Sequence, residues 1–268
     1  MMNLQTRINL MGRLGEYLKN NNYEWQEIKQ QAGYKNGWFT NHFIDKACEK
    51  ISDYFLDKIK LRQWAAHYHI DDNIEPKNVG LVMAGNIPLV GFHDFLAIFI
   101  AGHRQTIKLS TKDDILLKHL VEKLYSFDAT TQQYISFSEI LKGCDAYIAT
   151  GSNNSARYFE QYFAKYPHII RKNRTSAALL TGKESTEDLL KLSDDIHFYF
   201  GLGCRNASKI FVPKEYDFIP LLKAFDTYNY FADHHKYKNN YDYQLSIILL
   251  NNIYYMTNGS TLLTENEG

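Results

Sequence analysis

Cysteine is scarce. The 268 residues include three, Cys48, Cys144 and Cys204, far apart, odd in number and without C-x-x-C spacing. That excludes a disulfide framework and a zinc ligand set, and it fits a reducing, cytoplasmic setting. A surplus of one charge is lacking as well: Lys plus Arg and Asp plus Glu are 30 each. Nothing therefore calls for nucleic acid, and a small molecule or a protein is the expected partner. Long hydrophobic runs are missing too. The most apolar stretch, IPLVGFHDFLAIFIAG, is interrupted by His93 and Asp94 and is too short for a membrane span. The opening MMNLQTRINLMGRLGEYLKNNN has no apolar signal core and reads as an amphipathic helix. Neither G-x-G-x-x-G nor the phosphate-loop motif occurs. His67 and His69, and the pair His234 and His235, have no further ligands at metal spacing, which leaves them surface or capping roles.

What is present is an ordinary globular composition, 45% hydrophobic and 22% charged, long enough for a large core and two domains. The 20 tyrosines and 16 phenylalanines suit aromatic packing or an apolar substrate channel. Over the first seventy or so residues, Leu4, Ile8, Met11, Leu14 and Leu18 recur at helical spacing, and a second face runs through Phe43, Ala47, Ile51, Tyr54 and Phe55. DDNIEPKNVG breaks the pattern. Strand and helix then alternate: VGLVMAG, IPLVGFHDFLAIFIAG, RQTIKLS, KDDILLKHLVEKLYSF, DAYIATGS, SARYFEQYFAKY, SAALLTG and STEDLLKLSDDIHFYFG, the last opening on a capping-box-like Ser185 to Asp188. SKIFVP is a further strand, and EYDFIPLLKAFDTYNYF and YDYQLSIILLNNIYYM read as helices. This alternation predicts an α/β fold with a parallel sheet covered by helices.

In an open parallel sheet, ligands sit beyond the carboxyl ends of the strands. Those ends carry Gly85-Asn86-Ile87-Pro88, Lys108-Leu109-Ser110 and Thr150-Gly151-Ser152. The last is either an anion site at a helix N-terminus or a satisfied helix cap. Asn86 is either a turn residue or an amide donor, and Lys108 either a solvated strand-end lysine or a ligand contact. In YFGLGCRNASKIFVP, Cys204 follows a two-glycine turn. It is either a small structural thiol or a nucleophile brought to a substrate. The basic cluster Arg171, Lys172 and Arg174 either meets phosphates or is a solvated loop.

Taken in order and spacing, GLVMAGNIPLVGFHDFLAIFIAGHRQTIKLS, ATGS and YFGLGCRNASKIFV resemble the aldehyde dehydrogenase superfamily. Within it they are most similar to the LuxC-type acyl-CoA reductases, the fatty-acid reductases. The likeness covers Val79 to Pro213. It implies a Rossmann-like NAD(P)-binding domain over 76–200 that needs no glycine-rich fingerprint. A helical N-terminal segment, 1–75, precedes it, and 201–268 is the start of a catalytic domain truncated relative to the family. By the resemblance Cys204 is the nucleophile, and Asn86 donates to the oxyanion beside the Cys204 backbone N–H. Lys108 reaches the adenosine ribose, with Ser110 and Thr111 on the same cofactor loop, and Gly151 and Ser152 form the turn against the pyrophosphate.

Two departures shape the expected activity. Aldehyde-oxidising members carry a water-activating glutamate where KNRTSAALLTG has Asn173, Arg174 and Thr175. That favours reduction of an acyl thioester over aldehyde oxidation. Three residues after the ribose lysine, where NAD-preferring members often have an acid, stand Thr111 and then Lys112, which tilts the cofactor to NADPH, with NADH the alternative. The expected substrate is an acyl-CoA or other acyl thioester, with a homo-oligomer or an acyl-transferring protein as partner. The alternatives are a short-chain CoA-acylating aldehyde dehydrogenase and an inactive acyl-binding or interaction subunit, since only 64 residues follow Cys204.

Overall fold

Helix α1, Leu4–Asn20, begins where the Asn3 side chain accepts the Thr6 N–H at 2.8 Å and ends at Asn21 in the left-handed region, both positions that suit asparagine. The computed structural model describes residues 2–265. Ile8, Met11, Leu14 and Leu18 are buried, as their spacing predicts. Three more helices follow: α2 (Tyr23–Lys35), α3 (Asn41–Lys50) and α4 (Lys58–His67). Phe43, Ala47 and Ile51 are buried, but Tyr54 and Phe55, expected on the same face, are exposed. A π-helical turn over Ile51–Phe55 is the reason. The Leu56 N–H donates to the Ile51 carbonyl at 3.0 Å, the turn gains a residue, and Leu56 enters the core instead.

Five strands come next: β1 (Asn78–Val82), β2 (Arg104–Lys108), β3 (Ile135–Phe137), β4 (Ala146–Thr150) and β5 (His168–Arg171). They form one parallel sheet in the order β3-β2-β1-β4-β5. Helices α5 (Phe92–Ile100), α6 (Ile115–Phe127) and α7 (Asn153–Phe163) alternate with them. The chain order reverses at β1 and β4, the kind of switch point at which open α/β sheets bind ligands. Phe92, Phe95 and Phe99 of α5 are buried together, with the first two rings 5.5 Å apart, so these aromatics are core packing. The helical stretch and the sheet share one core, in which Ile8, Met11 and Leu14 join Leu81, Ile107, Phe95 and Leu120. Arg7, wholly buried on α1, donates through Nε to the Ile100 carbonyl at 3.1 Å.

The chain divides into two compact units between Asn173 and Arg174, which differs from the expected boundaries at 75 and 200. Residues 1–75 make no separate body because their apolar faces are buried on the sheet side of the same core. SAALLTG, expected as a further strand of the first sheet, is β6 (Ser176–Leu179), which instead pairs in parallel with β7 (Ala207–Phe211) in a sheet of two. Between them runs α8 (Thr186–His197), closed at its start by the reciprocal Ser185–Asp188 capping box. Next come α9 (Ile219–Phe225), a 3₁₀ stretch over Asp226–Asp233 and α10 (His235–Leu250), capped by His234, whose Nδ1 accepts the Tyr237 N–H at 3.3 Å. Leu189, Leu192, Leu221 and Phe225 make the core of this unit. α10 stops at Leu250 instead of running on through IYYM, because Asn252 turns left-handed at φ 51°. An antiparallel hairpin of β8 (Tyr255–Thr257) and β9 (Leu262–Thr264) follows.

All three tryptophans, Trp25, Trp38 and Trp64, lie in the helical stretch. Replacing Ile107 of β2 by alanine should lower stability by about 2–5 kcal/mol and shift the tryptophan-fluorescence midpoint in urea. An unmoved fluorescence midpoint would mean that the helices fold independently of the sheet.

Candidate functional site

Parallel register puts the ligand-side loops of the first unit on one edge. Val82 at the end of β1 is level with Lys108 on β2 and with Ala149 on β4, and Thr150 is level with Arg171 on β5. Asn86 is half-buried in the bend that follows β1. Its neighbour Gly85 is packed so closely that an added Cβ would lie 2.6 Å from Ser110 Oγ and 2.7 Å from Ser110 Cβ. The asparagine turn therefore rests directly on the loop after β2. Ser110 Oγ accepts the Lys112 N–H at 3.2 Å, and Thr111 and Lys112 are exposed. Lys108 is exposed, and its Nζ donates to the Glu139 carbonyl at 2.8 Å.

At β4 the Gly151 N–H donates to the Arg171 carbonyl at 3.1 Å, and a Cβ on Gly151 would meet Ser155 Cβ at 2.9 Å and a Phe159 ring carbon at 3.0 Å. Glycine lets α7 start against the strand end. Ser152 is the N-cap of α7, its Oγ accepting the Ser155 N–H at 3.2 Å. Arg171 and Lys172 already hold structural partners: Arg171 pairs with buried Asp94 at 2.8 Å, and Lys172 with Glu160 at 2.7 Å.

One residue on this edge escaped the reading of the sequence. Asp113 is 8% exposed, its Oδ2 accepts the Leu89 N–H at 2.7 Å, and its buried Oδ1 has no partner. Burial pushes its carboxyl up to about 7. KDDILLKH gave no sign of this, since an acid ahead of a helix ordinarily reads as a cap.

The second unit holds the cysteine turn. Cys204 is exposed, whereas Cys48 and Cys144 are buried, and burial pushes the Cys48 thiol up to about 12 and raises that of Cys144. Tyr199, Phe200 and Gly201, just upstream, all have left-handed backbone, at φ 56°, 57° and 71°. Two non-glycine residues in succession there cost roughly 1–2 kcal/mol each. Packing offsets the strain, with the Phe200 ring 4.5 Å from both Phe231 and His234. Asn206 does the rest. Its Oδ1 accepts the Gly203 N–H at 2.7 Å, and its Nδ2 faces the carbonyls of Asp195, Phe198 and Ile196 at 2.9, 3.1 and 3.3 Å. The open carbonyls at the end of α8 thus become the anchor of the turn. The Ser176 N–H donates to the Asn206 carbonyl at 3.2 Å, so the entry to β6, Arg174-Thr175, runs beside the cysteine turn. It brings no carboxylate there.

Several solved structures are similar to this chain. Aldehyde dehydrogenase 21 from Physcomitrella patens, in complex with succinate, matches at 14% identity and TM-score 0.65 over 85% of this chain and 52% of that one. A NAD-dependent benzaldehyde dehydrogenase from Corynebacterium glutamicum matches at 12% identity and TM-score 0.66, over 85% and 54%. An aldehyde dehydrogenase from Bacillus cereus, in complex with NAD+, matches at 16% identity and TM-score 0.64, over 83% and 50%. The chain has the aldehyde dehydrogenase fold. It spans about half the length of these aldehyde dehydrogenase structures. No protein-family model and no curated protein matches it. Among the described residues no three His, Cys, Asp or Glu side chains gather as a metal site, and no helix is long and apolar enough to cross a membrane.

Titration with an aromatic disulfide reagent should find one fast thiol, absent in Cys204→Ser, and two that react only on unfolding. Three fast thiols would contradict the burial of Cys48 and Cys144. Asn206→Ala, which leaves the α8 carbonyls without their donor, should cost about 1–3 kcal/mol in urea denaturation.

Proposed function

We propose that this protein reduces an acyl thioester, a fatty acyl-CoA in the leading case, to the aldehyde with NADPH through an acyl-Cys204 intermediate. The observation that carries this reading is the cysteine turn: an exposed thiol on a loop fastened by Asn206, beside a strand entry that has no carboxylate to activate water. A thiolate is the strongest side-chain nucleophile near neutral pH. Attack by Cys204 Sγ on the thioester carbonyl carbon forms a C–S bond and a tetrahedral oxyanion. When the carbonyl re-forms, the CoA sulfur departs with the bonding pair and takes a proton from solvent. One thioester replaces another, so the exchange is close to thermodynamic balance.

In this reading the Asn86 amide and the Cys204 backbone N–H are the oxyanion donors. Lys108, on the loop that also carries Ser110 and Thr111, holds the adenosine ribose, and the Gly151-Ser152 turn with the first turn of α7 faces the pyrophosphate. These groups suit a dinucleotide: a lysine at a strand end, a helix start behind a glycine, and a switch point between β1 and β4. NADPH is favoured because the exposed part of the loop, Thr111 and Lys112, offers no acid to repel a 2′-phosphate. The other acids of that loop are occupied, Asp113 by burial and Asp114 by Lys35 at 2.6 Å. The bound nicotinamide supplies a hydride. After reduction the C–S bond to Cys204 breaks, the aldehyde leaves and the thiolate is restored. With no carboxylate on the strand entry, hydrolysis of the acyl-enzyme is slow in this reading, which favours this direction over aldehyde oxidation.

Oxidation of NADPH in the presence of acyl-CoA, with the aldehyde trapped, tests the reading. Turnover should vanish in Cys204→Ala and fall about a hundredfold or more in Asn86→Ala. Turnover that survives in Cys204→Ala would overturn the assignment of the nucleophile.

A further inference from the structure

We infer that Asp113 is a positioning residue for the Asn86 turn, holding the loop after β1 against the loop after β2. Its catalytic consequence rests on the reading of Asn86 proposed above; its structural content does not. Two anchors flank Asn86. On one side Gly85 packs on Ser110, and on the other the Leu89 N–H donates to Asp113 Oδ2 at 2.7 Å. Both anchors belong to the same short loop, because the Asp113 N–H itself donates to the Ser110 carbonyl at 3.0 Å. Asn86-Ile87-Pro88 is thus held at both ends by one turn. Leu89 has φ 54°, a left-handed value that a branched side chain disfavours. The strain falls on the residue whose N–H the carboxyl grips.

Asp113 is an uncomfortable residue for packing alone. A buried acid ordinarily has a cation partner, and this one leaves Oδ1 buried and unpartnered. The charged and titratable groups around it are committed elsewhere. On α2, Lys35 pairs with Asp114, and Asn36 Nδ2 donates to the Lys112 carbonyl at 3.2 Å. Lys112 is exposed on Asp113's own loop. On α3, Cys48 stays a neutral thiol, its pKa pushed up to about 12, and Asp45 is paired with Lys29. Burial raises the Asp113 carboxyl to about 7, above the value of a solvated aspartate, so the closed loop favours the protonated acid and its hold on the Asn86 turn weakens as pH rises towards neutrality.

The test combines hydrogen exchange with Cys204 acylation in the full chain, in wild type, Asp113→Ala, Asp113→Asn and Asn86→Ala. In Asp113→Ala the Leu89 amide should exchange about tenfold faster while α6 amides keep their protection, and Asp113→Asn, which can still accept the N–H, should restore it. In wild type, Leu89 protection corrected for intrinsic exchange should fall between about pH 5 and pH 7 and level off above, and it should be flat in Asp113→Asn. This pH series decides the matter even where Asp113→Ala does not fold. Unchanged Leu89 exchange in Asp113→Ala, or a pH-independent wild type, would overturn the inference. Acylation from acyl-CoA should slow in Asp113→Ala, and adding Asn86→Ala should slow it no further. Independent, multiplying losses would mean that Asp113 does not act through Asn86. A wild type that never acylates would sink the proposed function and leave the exchange result to decide Asp113.

Discussion

Strand β1 is the hub on which the first unit depends. It pairs with β2 on one side and β4 on the other, with Val79 and Leu81 buried. Side chains alternate faces along a strand, so a slip of one residue would drive both into the opposite face, where Gly80 leaves room only for the Tyr147 ring and Cys144, and would shift every loop at the carboxyl edge. The burial of those two residues therefore sets more than stability. It puts Asn86, Lys108 and Gly151 at the ends of three neighbouring strands. The helices reinforce this register from outside, because α1 buries its apolar stripe in the same core as the sheet.

Backbone strain marks the same places. Leu89 lies in the loop after β1, and Tyr199 and Phe200 lead into the cysteine turn; all three are left-handed without being glycine. Each site has a polar side chain that fastens the loop nearby, Asp113 to the Leu89 N–H and Asn206 to the Gly203 N–H. Strained backbone persists where its surroundings over-determine it, and such places are frequent at functional sites. Both units show the same device: a strained loop held by a carboxyl or carboxamide rather than by apolar packing alone.

Much of this was legible in the sequence. Alternating apolar runs announced β1, β2, β4 and the helices between them, and the glycine-hinged turn before Cys204 was visible, though whether its thiol is exposed was not. The two edge strands were not, because three residues in ISF and four in HIIR carry too little apolar pattern to stand out from a loop. SAALLTG was recognisable as a strand, but which sheet it joins depends on pairing with Ala207–Phe211, a non-local fact. Tyr54 and Phe55 left their predicted face through a single π turn, which changes the period without changing the composition. Asp113 and Asn206 were illegible for a related reason. Their roles come from which backbone groups tertiary packing brings to them, and in the sequence each is an ordinary polar residue next to a helix or a strand.

The central claim is that Cys204 accepts an acyl group from a thioester. Intact-mass spectrometry after mixing the protein with long- and short-chain acyl-CoA, without any nicotinamide, tests it most directly. The account predicts a gain of one acyl group that disappears in Cys204→Ala. A protein that gains no mass, or one that gains it equally in Cys204→Ala, would contradict it.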